Sequence, residues 1–334
     1  MTTTATRPAT PAIDAKLLVE MLTTMERIRA LEAVLSAQGE RFGQIFVMTS
    51  GMEAIAAGTC AMLRKDDYLL STHRTQAHGI AKGLAMDKML AEILYKGTGY
   101  MGGVGGRQHM AVLELGFFGG TGIVGANVAI ACGVALTCKM RKQGQVAACI
   151  LGDGATTTGA FHEGLGIAAL WDLPVVYVIE NNQYAGYMPL SGQTKLKQLS
   201  DRAKGYGIPG VTVDGTDAIA VAEAVGEAVE RARAGEGPTL IEAVTLVMGG
   251  GTITNEGRKW RSDEEMAEWM AKDPIRRART KLIADGMLTQ QMADAIAASA
   301  KAEAEAAGKF VHDSPEPDPK NAMKNVYFEG KRRG

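Results

Sequence analysis

Fully apolar strand segments restrict the fold of this sequence more than any other feature does. Residues 146–151, "VAACIL", and residues 174–180, "PVVYVIE", show no alternation of polar and apolar side chains. Helical patterns separate these segments from each other and from further strand segments, "DYLLST" before them and "GPTLIEAVTLV" after them. Strands that are buried on both faces and separated by helices are typical of parallel sheets. The sequence therefore predicts an α/β fold, mainly a parallel sheet with helices on both faces.

The helical patterns and the two ends of the chain predict its domain organisation. A long amphipathic helix is expected at 14–38, and the helical segment "DKMLAEILYKG" is expected to be closed by Gly97. No repeat or linker divides the chain before "HDSPEPDPKN", whose charges and prolines predict an irregular end. We expect a disordered lead-in at 1–14, one domain at 15–311 and an irregular C-terminal tail at 312–334.

An uncharged stretch at 115–138 could be mistaken for a membrane span. Its helical pattern begins only at about Ile123, so the helix is too short to cross a bilayer comfortably. We interpret it as a buried helix. Gly125, Ala129 and Gly133 recur every four residues and predict a flat face against which another helix packs closely.

The composition excludes several classes of protein. The 334 residues carry a formal net charge of -1, which provides no basic field for nucleic acid. The first residues contain no apolar segment of signal-peptide length. Four cysteines form no CxxC pair and lie in apolar surroundings, as expected of free thiols in a reducing compartment: Cys60, Cys132, Cys138 and Cys149. We therefore expect a cytoplasmic protein that binds neither nucleic acid nor membranes.

Two neighbouring strand ends carry side chains that suit a metal site. Asp153 lies between two glycines just after "VAACIL", and Asn182 follows the next predicted strand. In open parallel sheets, ligands bind beyond the carboxyl ends of the strands. Carboxylate and carboxamide oxygens suit Mg²⁺, which in turn binds phosphate oxygens. The alternative interpretation is a helix-capping Asp and an unrelated Asn-rich turn.

The combination of GDG with NN, one strand–helix–strand unit later, resembles the thiamine diphosphate fingerprint. The wider segment "GDGATTTGAFHEGLGIAALWDLPVVYVIENNQYAGYMP" is similar to the alpha subunit of the thiamine-dependent dehydrogenase component of 2-oxoacid and acetoin dehydrogenase complexes. The resemblance extends over 17–275 and includes "GMEAIAAG", "THRTQAHGIAKG", "GTGYMGGVGGRQHM", "GIVGANVAIACGVAL" and "WRSDEEMAEWMAKDPI". It implies a thiamine diphosphate-binding fold with thiamine diphosphate and Mg²⁺ as cofactors.

The resemblance implies the metal ligands and one contact to the diphosphate. The side chains of Asp153 and Asn182 match magnesium ligands, and the backbone carbonyl of Tyr184 matches a third. Arg74, in "HRT", matches an arginine that contacts the diphosphate, a task that suits a permanently charged guanidinium. The alternative for Arg74 is a surface ion pair.

The resemblance also implies contacts from the backbone to the cofactor. Gly122 and Val124, in "GIVG", match positions that receive the aminopyrimidine ring. Gly154 and Ala155 are expected to place backbone amides near the diphosphate. The alternative for "GIVG" is helix packing alone.

The part of the sequence that corresponds to the substrate side departs from the family pattern. Many relatives have histidines at the positions of Gln76 and His78, and "GGSMH" where this chain has "GGRQH". The latter change makes Arg107 a candidate substrate anchor and keeps His109. The family loop "HGHS" aligns with residues 249–252, "GGGT", which supply no imidazole. The catalytic candidates are therefore His78 and His109, for proton transfer, and Gln76; the alternative for each histidine is a hydrogen-bonded loop histidine.

The resemblance implies a hetero-oligomer, with two alpha and two beta chains, that works with a lipoyl-bearing acyltransferase. The glutamate that activates the cofactor belongs to the beta subunit in this family, so no such role is given to Glu163. Three functions remain open. The chain could serve a dehydrogenase that cleaves a 2-oxoacid or an acetoin-like acyloin and passes the acyl unit to lipoamide. It could instead serve a carboligase or transketolase-like enzyme without lipoamide, or be a non-catalytic subunit.

Overall fold

A six-stranded parallel sheet forms the centre of the protein. A computed structural model describes residues 13–42, 47–248 and 261–321. The strand order is β2-β1-β3-β4-β8-β7, and every neighbouring pair is parallel. The sheet strands are β1 (Tyr68–Leu70), β2 (Phe117–Gly119), β3 (Ala147–Gly152), β4 (Val175–Asn181), β7 (Gly210–Asp214) and β8 (Thr239–Val244). A short antiparallel hairpin consists of β5 (Tyr184–Ala185) and β6 (Met188–Pro189). The α/β fold predicted from the apolar strands is confirmed.

Helices cover both faces of this sheet. Ile150 and Val178 pack into one core cluster, whereas Leu151 and Tyr177 pack into another, as the two-residue period of a strand requires. Residues from α1, α2, α9 and α12 share the first cluster, and residues from α6 and α7 share the second. The helices are α1 (Ala15–Phe42), α2 (Glu53–Ala61), α3 (Thr75–Lys82), α4 (Met86–Ile93), α5 (Gly106–His109), α6 (Ala126–Arg141), α7 (Gly159–Leu170), α8 (Leu190–Gln193), α9 (Ala218–Arg233), α10 (Asp263–Ala271), α11 (Pro274–Ala284) and α12 (Gln290–His312).

Two glycines have different roles from those the sequence indicated. Helix α4 ends at Ile93 and Tyr95 adopts a φ of 56°, so Gly97 does not close it. Gly97 instead donates its N–H to the carbonyl of Pro315 at 2.9 Å. Gly125 precedes α6 with a φ of 84°, and a Cβ there would collide with the side chain of Thr158. Gly125 is therefore required within the chain and does not contribute to a flat external face.

The rest of the small-residue pattern on α6 does face outward. Ala129 and Gly133 are exposed, and a Cβ at Gly133 would meet no atom within 4 Å in the described chain. Large apolar side chains are exposed beside them on α6 and α7, including Ile130, Met140 and Leu170. These two helices thus present an apolar surface with a small-residue centre.

The described residues contain neither a helix that could span a membrane nor a disulfide bond. Within the described ranges, no helix is both long and apolar enough to cross a membrane. The four cysteines are free, and burial raises the pKa of the Cys60 thiol to about 12. Thiols whose pKa lies that high are not ionised near neutral pH and pack as small apolar groups.

Candidate active site

A cavity of about 270 Å³ lies beyond the carboxyl ends of β3 and β4. These strands are direct neighbours, with Gly152 paired to Glu180, so the segments that follow them meet at one edge of the sheet. The cavity also receives the "HRT" and "GIVG" segments. The residues assigned to the cofactor by sequence that line it are Arg74, Val124, Asp153, Gly154, Ala155, Asn182 and Tyr184. Residues far apart in the chain are thus brought together as the strand order requires.

Asp153 is a buried carboxylate with little compensation from the protein. It begins a 3-10 turn directly after β3 and is 2% exposed. Burial raises the pKa of its carboxyl group; a hydrogen bond from Gln193 Nε2 to Oδ2, at 2.9 Å, opposes that rise, as do the backbone amides of Asp153 and Gly154 and the charge of Arg74. In the described part of the chain Asp153 forms no ion pair, and Gln193 Oε1 is buried without a hydrogen-bond partner. A bound cation would provide the positive charge needed to pair with this buried carboxylate.

The two asparagines after β4 have different environments. Asn181 donates through Nδ2 to Glu242 Oε1 at 2.7 Å, so it links β4 to β8. Asn182 lines the cavity, and its Oδ1 accepts the N–H of Tyr184 at 3.2 Å. Asp153, Asn182 and the Tyr184 segment therefore offer oxygens to the same space. Hard oxygen donors of this kind fit Mg²⁺.

The glycines on the two sides of Asp153 are needed for different physical reasons. A Cβ on Gly152 would meet no atom within 4 Å in the described chain, and this residue lines the cavity. A Cβ on Gly154 would lie 2.8 Å from Cβ of Ala185, so a larger residue would push the β5 hairpin away. Gly152 keeps the cavity open, and Gly154 lets the hairpin pack against the turn that carries Asp153.

Arg74 brings a positive charge to the cavity. Its Nη1 donates to the carbonyl of Met48, and across the described ranges the guanidinium forms no ion pair. Burial lowers its pKa to about 10, while Glu180 and Glu32 favour the charged form. A partly buried guanidinium without a bound carboxylate is suited to an anionic ligand such as a diphosphate.

Two titratable residues of the cavity, His73 and Glu180, were not identified from the sequence. His73 lines the cavity, and burial, aided by the charges of Arg74 and Arg107, lowers its pKa to about 4. Glu180, in β4, is 2% exposed and also lines the cavity. Glu180 lies two residues before Asn182 at the end of β4, and both residues line the cavity, so its position beside the NN pair could have identified it.

His78 and Gln76 are buried behind the cavity. His78 Nε2 lies 3.1 Å from Glu180 Oε1, and Nδ1 lies 2.7 Å from Ser71 Oγ. The imidazole of His78 therefore bridges the Glu180 carboxyl group and the Ser71 hydroxyl. Gln76 donates through Nε2 to the Val47 carbonyl at 2.6 Å. Both residues support the wall of the cavity without lining it.

The remaining predicted residues lie at the rim. Val124 is 58% exposed, and Gly122 lies against the side chains of Gln108 and His109. Arg107 Nη1 donates to the backbone carbonyl of His73 at 3.0 Å, and burial lowers its pKa. Arg107 therefore braces the "HRT" segment in this structure.

The glycine run at 249–251 lies outside the described residues. Among the described residues that flank this gap in the sequence, Arg261 donates through Nη1 to the carbonyl of Val247 at 2.6 Å. The guanidinium carbon of Arg261 lies 4.8 Å from the ring centroid of Tyr184. Arg261 thus connects the segment before the run with the turn that carries a proposed metal ligand.

Comparison with known proteins agrees with this site. The profile of the family described as "Dehydrogenase E1 component" matches residues 20–320. The alpha subunit of acetoin:2,6-dichlorophenolindophenol oxidoreductase from Bacillus subtilis (strain 168) is 40% identical over 307 residues, which is 90% of this chain and 89% of the relative. The protein of the same name from Cupriavidus necator is 38% identical over 319 residues, or 94% of this chain and 95% of the relative.

Pyruvate-type relatives are also similar. The pyruvate dehydrogenase E1 component subunit alpha from Porphyra purpurea is 34% identical over 288 residues, which is 84% of this chain and 83% of the relative. The resemblance inferred from GDG, NN and the flanking motifs is confirmed by these matches. The chain belongs to the dehydrogenase E1 component family, and this membership implies thiamine diphosphate as its cofactor.

Proposed function

We propose that this chain is the alpha subunit of a dehydrogenase that cleaves an acetoin-like acyloin or a 2-oxoacid and passes the acyl unit to lipoamide on a partner. The observation that carries the proposal is the meeting of Asp153, Asn182 and Arg74 in one cavity at the carboxyl edge of the sheet. Oxygen ligands and a guanidinium together match a magnesium diphosphate. The alternative of a capping Asp beside an unrelated turn does not account for this convergence.

The residues of the cavity fit the cofactor that the family implies. Mg²⁺ would be held by Asp153, by Asn182 Oδ1 and by the backbone carbonyl of Tyr184. Gln193 would then yield its place on Asp153 Oδ2 to the metal. The metal would neutralise a carboxylate whose pKa is raised by burial, which makes cofactor and metal binding interdependent.

The diphosphate and the aminopyrimidine ring of the cofactor would be bound by backbone groups and by Arg74. The amides of Gly154 and Ala155, together with the Arg74 guanidinium, would bind the diphosphate oxygens. Backbone groups of Gly122 and Val124 would receive the aminopyrimidine ring. When bound, thiamine diphosphate supplies a nucleophilic carbon and an electron sink for cleavage next to a carbonyl.

Protein groups near this site can hold or orient protons. His73 is neutral near pH 7 because its pKa is lowered to about 4, so it is available as a hydrogen-bond partner for substrate. His78 holds Glu180 at the cavity wall through the contact at 3.1 Å. We assign proton transfer at the rim to His109, and Gln76 supports the "HRT" segment through Val47.

The exposed apolar surface of α6 and α7 supports a beta-subunit partner. Ala129 and Gly133 allow close approach of a helix backbone, and Ile130, Met140 and Leu170 provide apolar area around them. We place the beta subunit on this surface in an assembly of two alpha and two beta chains. A lipoyl-bearing acyltransferase and a cytoplasmic location complete the proposal, with residues 15–311 as the cofactor-binding domain.

Acyloin substrates have more support than 2-oxoacids. The two acetoin-linked relatives are 40% and 38% identical to this chain, compared with 34% for the pyruvate-linked relative. The "HRTQAHGIAKG" segment is also closer to the acetoin branch. The substrate panel that tests the proposal should therefore begin with acetoin and extend to 2-oxoacids of increasing size.

Dye reduction by the co-expressed alpha and beta chains tests the proposal. The assembly is supplied with thiamine diphosphate, Mg²⁺, a substrate and 2,6-dichlorophenolindophenol. We expect dye reduction with acetoin or a 2-oxoacid. Ligated product without dye reduction would favour the carboligase alternative. A cofactor-loaded assembly that converts none of the compounds would favour the non-catalytic alternative.

A further inference from the structure

The carboxylate of Glu92 is buried in a ring of backbone amides. Oε2 accepts the N–H groups of Met101 at 2.7 Å and Gly103 at 2.9 Å. Oε1 accepts those of Gly105 at 2.8 Å and Gly106 at 3.0 Å. Glu92 is fully buried, and within the described ranges it forms no ion pair. Four charge-assisted hydrogen bonds from the glycine loop therefore compensate this charge.

The glycines of the loop are needed to bring these amides onto one carboxylate. Gly102, Gly103 and Gly106 have φ values of 70°, 77° and 57°, which side chains disfavour. A Cβ on Gly99 would lie 2.6 Å from Cα of Glu92. The loop glycines can pack this closely because they carry no side chain. In the structure they approach Glu92, and the loop is an anion-binding nest filled by the protein's own side chain.

The restrained segment leads directly into the rim of the cavity. Gly106 begins α5, and the next residue, Arg107, donates to the carbonyl of His73 at 3.0 Å. The next two side chains, from Gln108 and His109, lie against Gly122. The position of Arg107 and His109 relative to the cavity therefore depends on the loop that Glu92 holds.

The nest is separate from the cofactor cavity. None of the five residues that form it lines that cavity, and Glu92 comes from α4, which packs in the apolar core through Met89, Leu90 and Ile93. A rigid helix thus fixes one end of the contact. A change at Glu92 can shift the rim without changing the oxygens that meet at Asp153 and Asn182.

We propose that Glu92 is a positioning residue that sets the substrate side of the site, acting through Arg107 and His109. This inference rests on the proposed function. The carboxylate holds four amides in place, the amides fix the start of α5, and α5 carries the two side chains to the rim.

Glu92→Gln tests the role with little change in size. The amide keeps one acceptor oxygen but turns its NH₂ group toward two N–H donors, so one of the two amide pairs loses its acceptor. Hydrogen exchange in segment 99–109 of the alpha–beta assembly should accelerate by about tenfold or more, with other segments unchanged. Asp87→Asn, the same change at a partly exposed position of α4, is the control and should leave exchange in this segment unchanged.

Kinetics separate positioning from general stability. Glu92→Gln should lower kcat/KM by about tenfold or more and change the Kd of thiamine diphosphate by less than about threefold. In an Arg107→Ala background the same change should have a much smaller effect on kcat/KM, because both variants disturb the same contact. Additive effects, or equal losses in cofactor affinity and kcat/KM, would overturn the proposal.

The outcomes also distinguish this inference from the function on which it rests. An assembly whose parent form converts no substrate contradicts the proposed function. An active parent whose exchange and kinetics are unaffected by Glu92→Gln contradicts the role of Glu92 alone.

Discussion

Asp153 and Glu92 are both buried carboxylates near the same cavity, yet the protein treats them in opposite ways. Asp153 receives one side-chain hydrogen bond, from a neutral amide, and some stabilisation from nearby backbone amides and Arg74, but burial outweighs these and raises its pKa. Glu92 receives four backbone hydrogen bonds between 2.7 and 3.0 Å. A poorly compensated buried charge indicates a place for a ligand, whereas a fully compensated one indicates an internal support.

The surroundings of the two carboxylates extend this contrast. Around Asp153, the oxygens and glycines follow strand ends whose register is fixed by the sheet. Around Glu92, the loop of 99–109 contains no strand, and four of its backbone amides are held by one side chain from α4. The frame of the proposed cofactor side is therefore set by the sheet, whereas that of the proposed substrate side is set by a loop and one buried carboxylate. The predictions that follow test this division.

The largest effect is expected on the cofactor side. Asp153→Ala removes a proposed metal ligand and would leave the diphosphate charge without full neutralisation. We expect the Kd of thiamine diphosphate in the presence of Mg²⁺ to rise by about 100-fold or more. Isothermal titration of the assembled protein measures it. Asp285→Ala, at an exposed position of the same charge, should bind like the parent. Equal affinity for Asp153→Ala and the parent would mean that the metal is held elsewhere.

A smaller but distinct effect is expected at the subunit surface. Gly133→Leu adds a side chain where no described atom lies within 4 Å, so the isolated chain should fold normally. The new side chain would block close approach of a partner helix. We therefore expect the dissociation constant of the assembly to rise by about tenfold or more. Light scattering of co-expressed chains measures this. The control is Ala298→Leu on α12, and an intact Gly133→Leu assembly would place the beta subunit elsewhere.

On the substrate side, Arg107→Ala should affect substrate more than cofactor. Loss of the contact with the His73 carbonyl frees the rim, and loss of the cation weakens attraction of an acid substrate. We expect KM for 2-oxoacids to rise about tenfold, with cofactor Kd changed less than about twofold. Steady-state kinetics against substrates of increasing size measure it, with Lys301→Ala as a surface control. Parallel losses of both affinities would contradict the division between the two sides.

The smallest effect concerns the pH dependence of stability. The pKa of His73 is about 4 in the folded chain, below its ordinary value of 6.5, so between these limits the unfolded chain binds a proton that the folded chain does not. Stability should therefore fall as pH falls through this window. His73→Gln should remove a pH-dependent loss in the free energy of unfolding on the order of 1–3 kcal/mol. Thermal unfolding at pH 7, 6 and 5 measures it, with exposed His312→Gln as control. Identical slopes in the parent and His73→Gln would exclude this titration.

Much of the fold could be predicted because its signals are local. The apolar segments that became β3 and β4 carry no polar alternation, and two parallel strand ends necessarily place Asp153 near Asn182. The mistakes concern glycine. Gly97 and Gly125 were interpreted from helix patterns, but their roles depend on Pro315 and Thr158, which lie far away in sequence.

Some site residues could not be predicted for the same reason, because their roles depend on contacts with distant parts of the chain. Glu180 carried a usable signal, since it lies two residues before Asn182 at the end of the same predicted strand. Gln193 carried none, because its hydrogen bond to Asp153 depends on how the β5 hairpin and α8 fold back. The support from Glu92 was equally hidden, because a glutamate in an apolar helix does not reveal that distant glycine amides surround it.

The central claim is that Asp153 and Asn182 hold the metal of a bound thiamine diphosphate. The most direct test is a crystal structure of the alpha–beta assembly with thiamine diphosphate and Mn²⁺, which accepts the same oxygen ligands as Mg²⁺ and gives an anomalous signal. The account predicts one strong anomalous peak at this site, coordinated by Asp153, Asn182 Oδ1 and the Tyr184 carbonyl, with Gln193 displaced from Asp153. Bound cofactor with no peak there, or with its metal on other residues, would contradict the account.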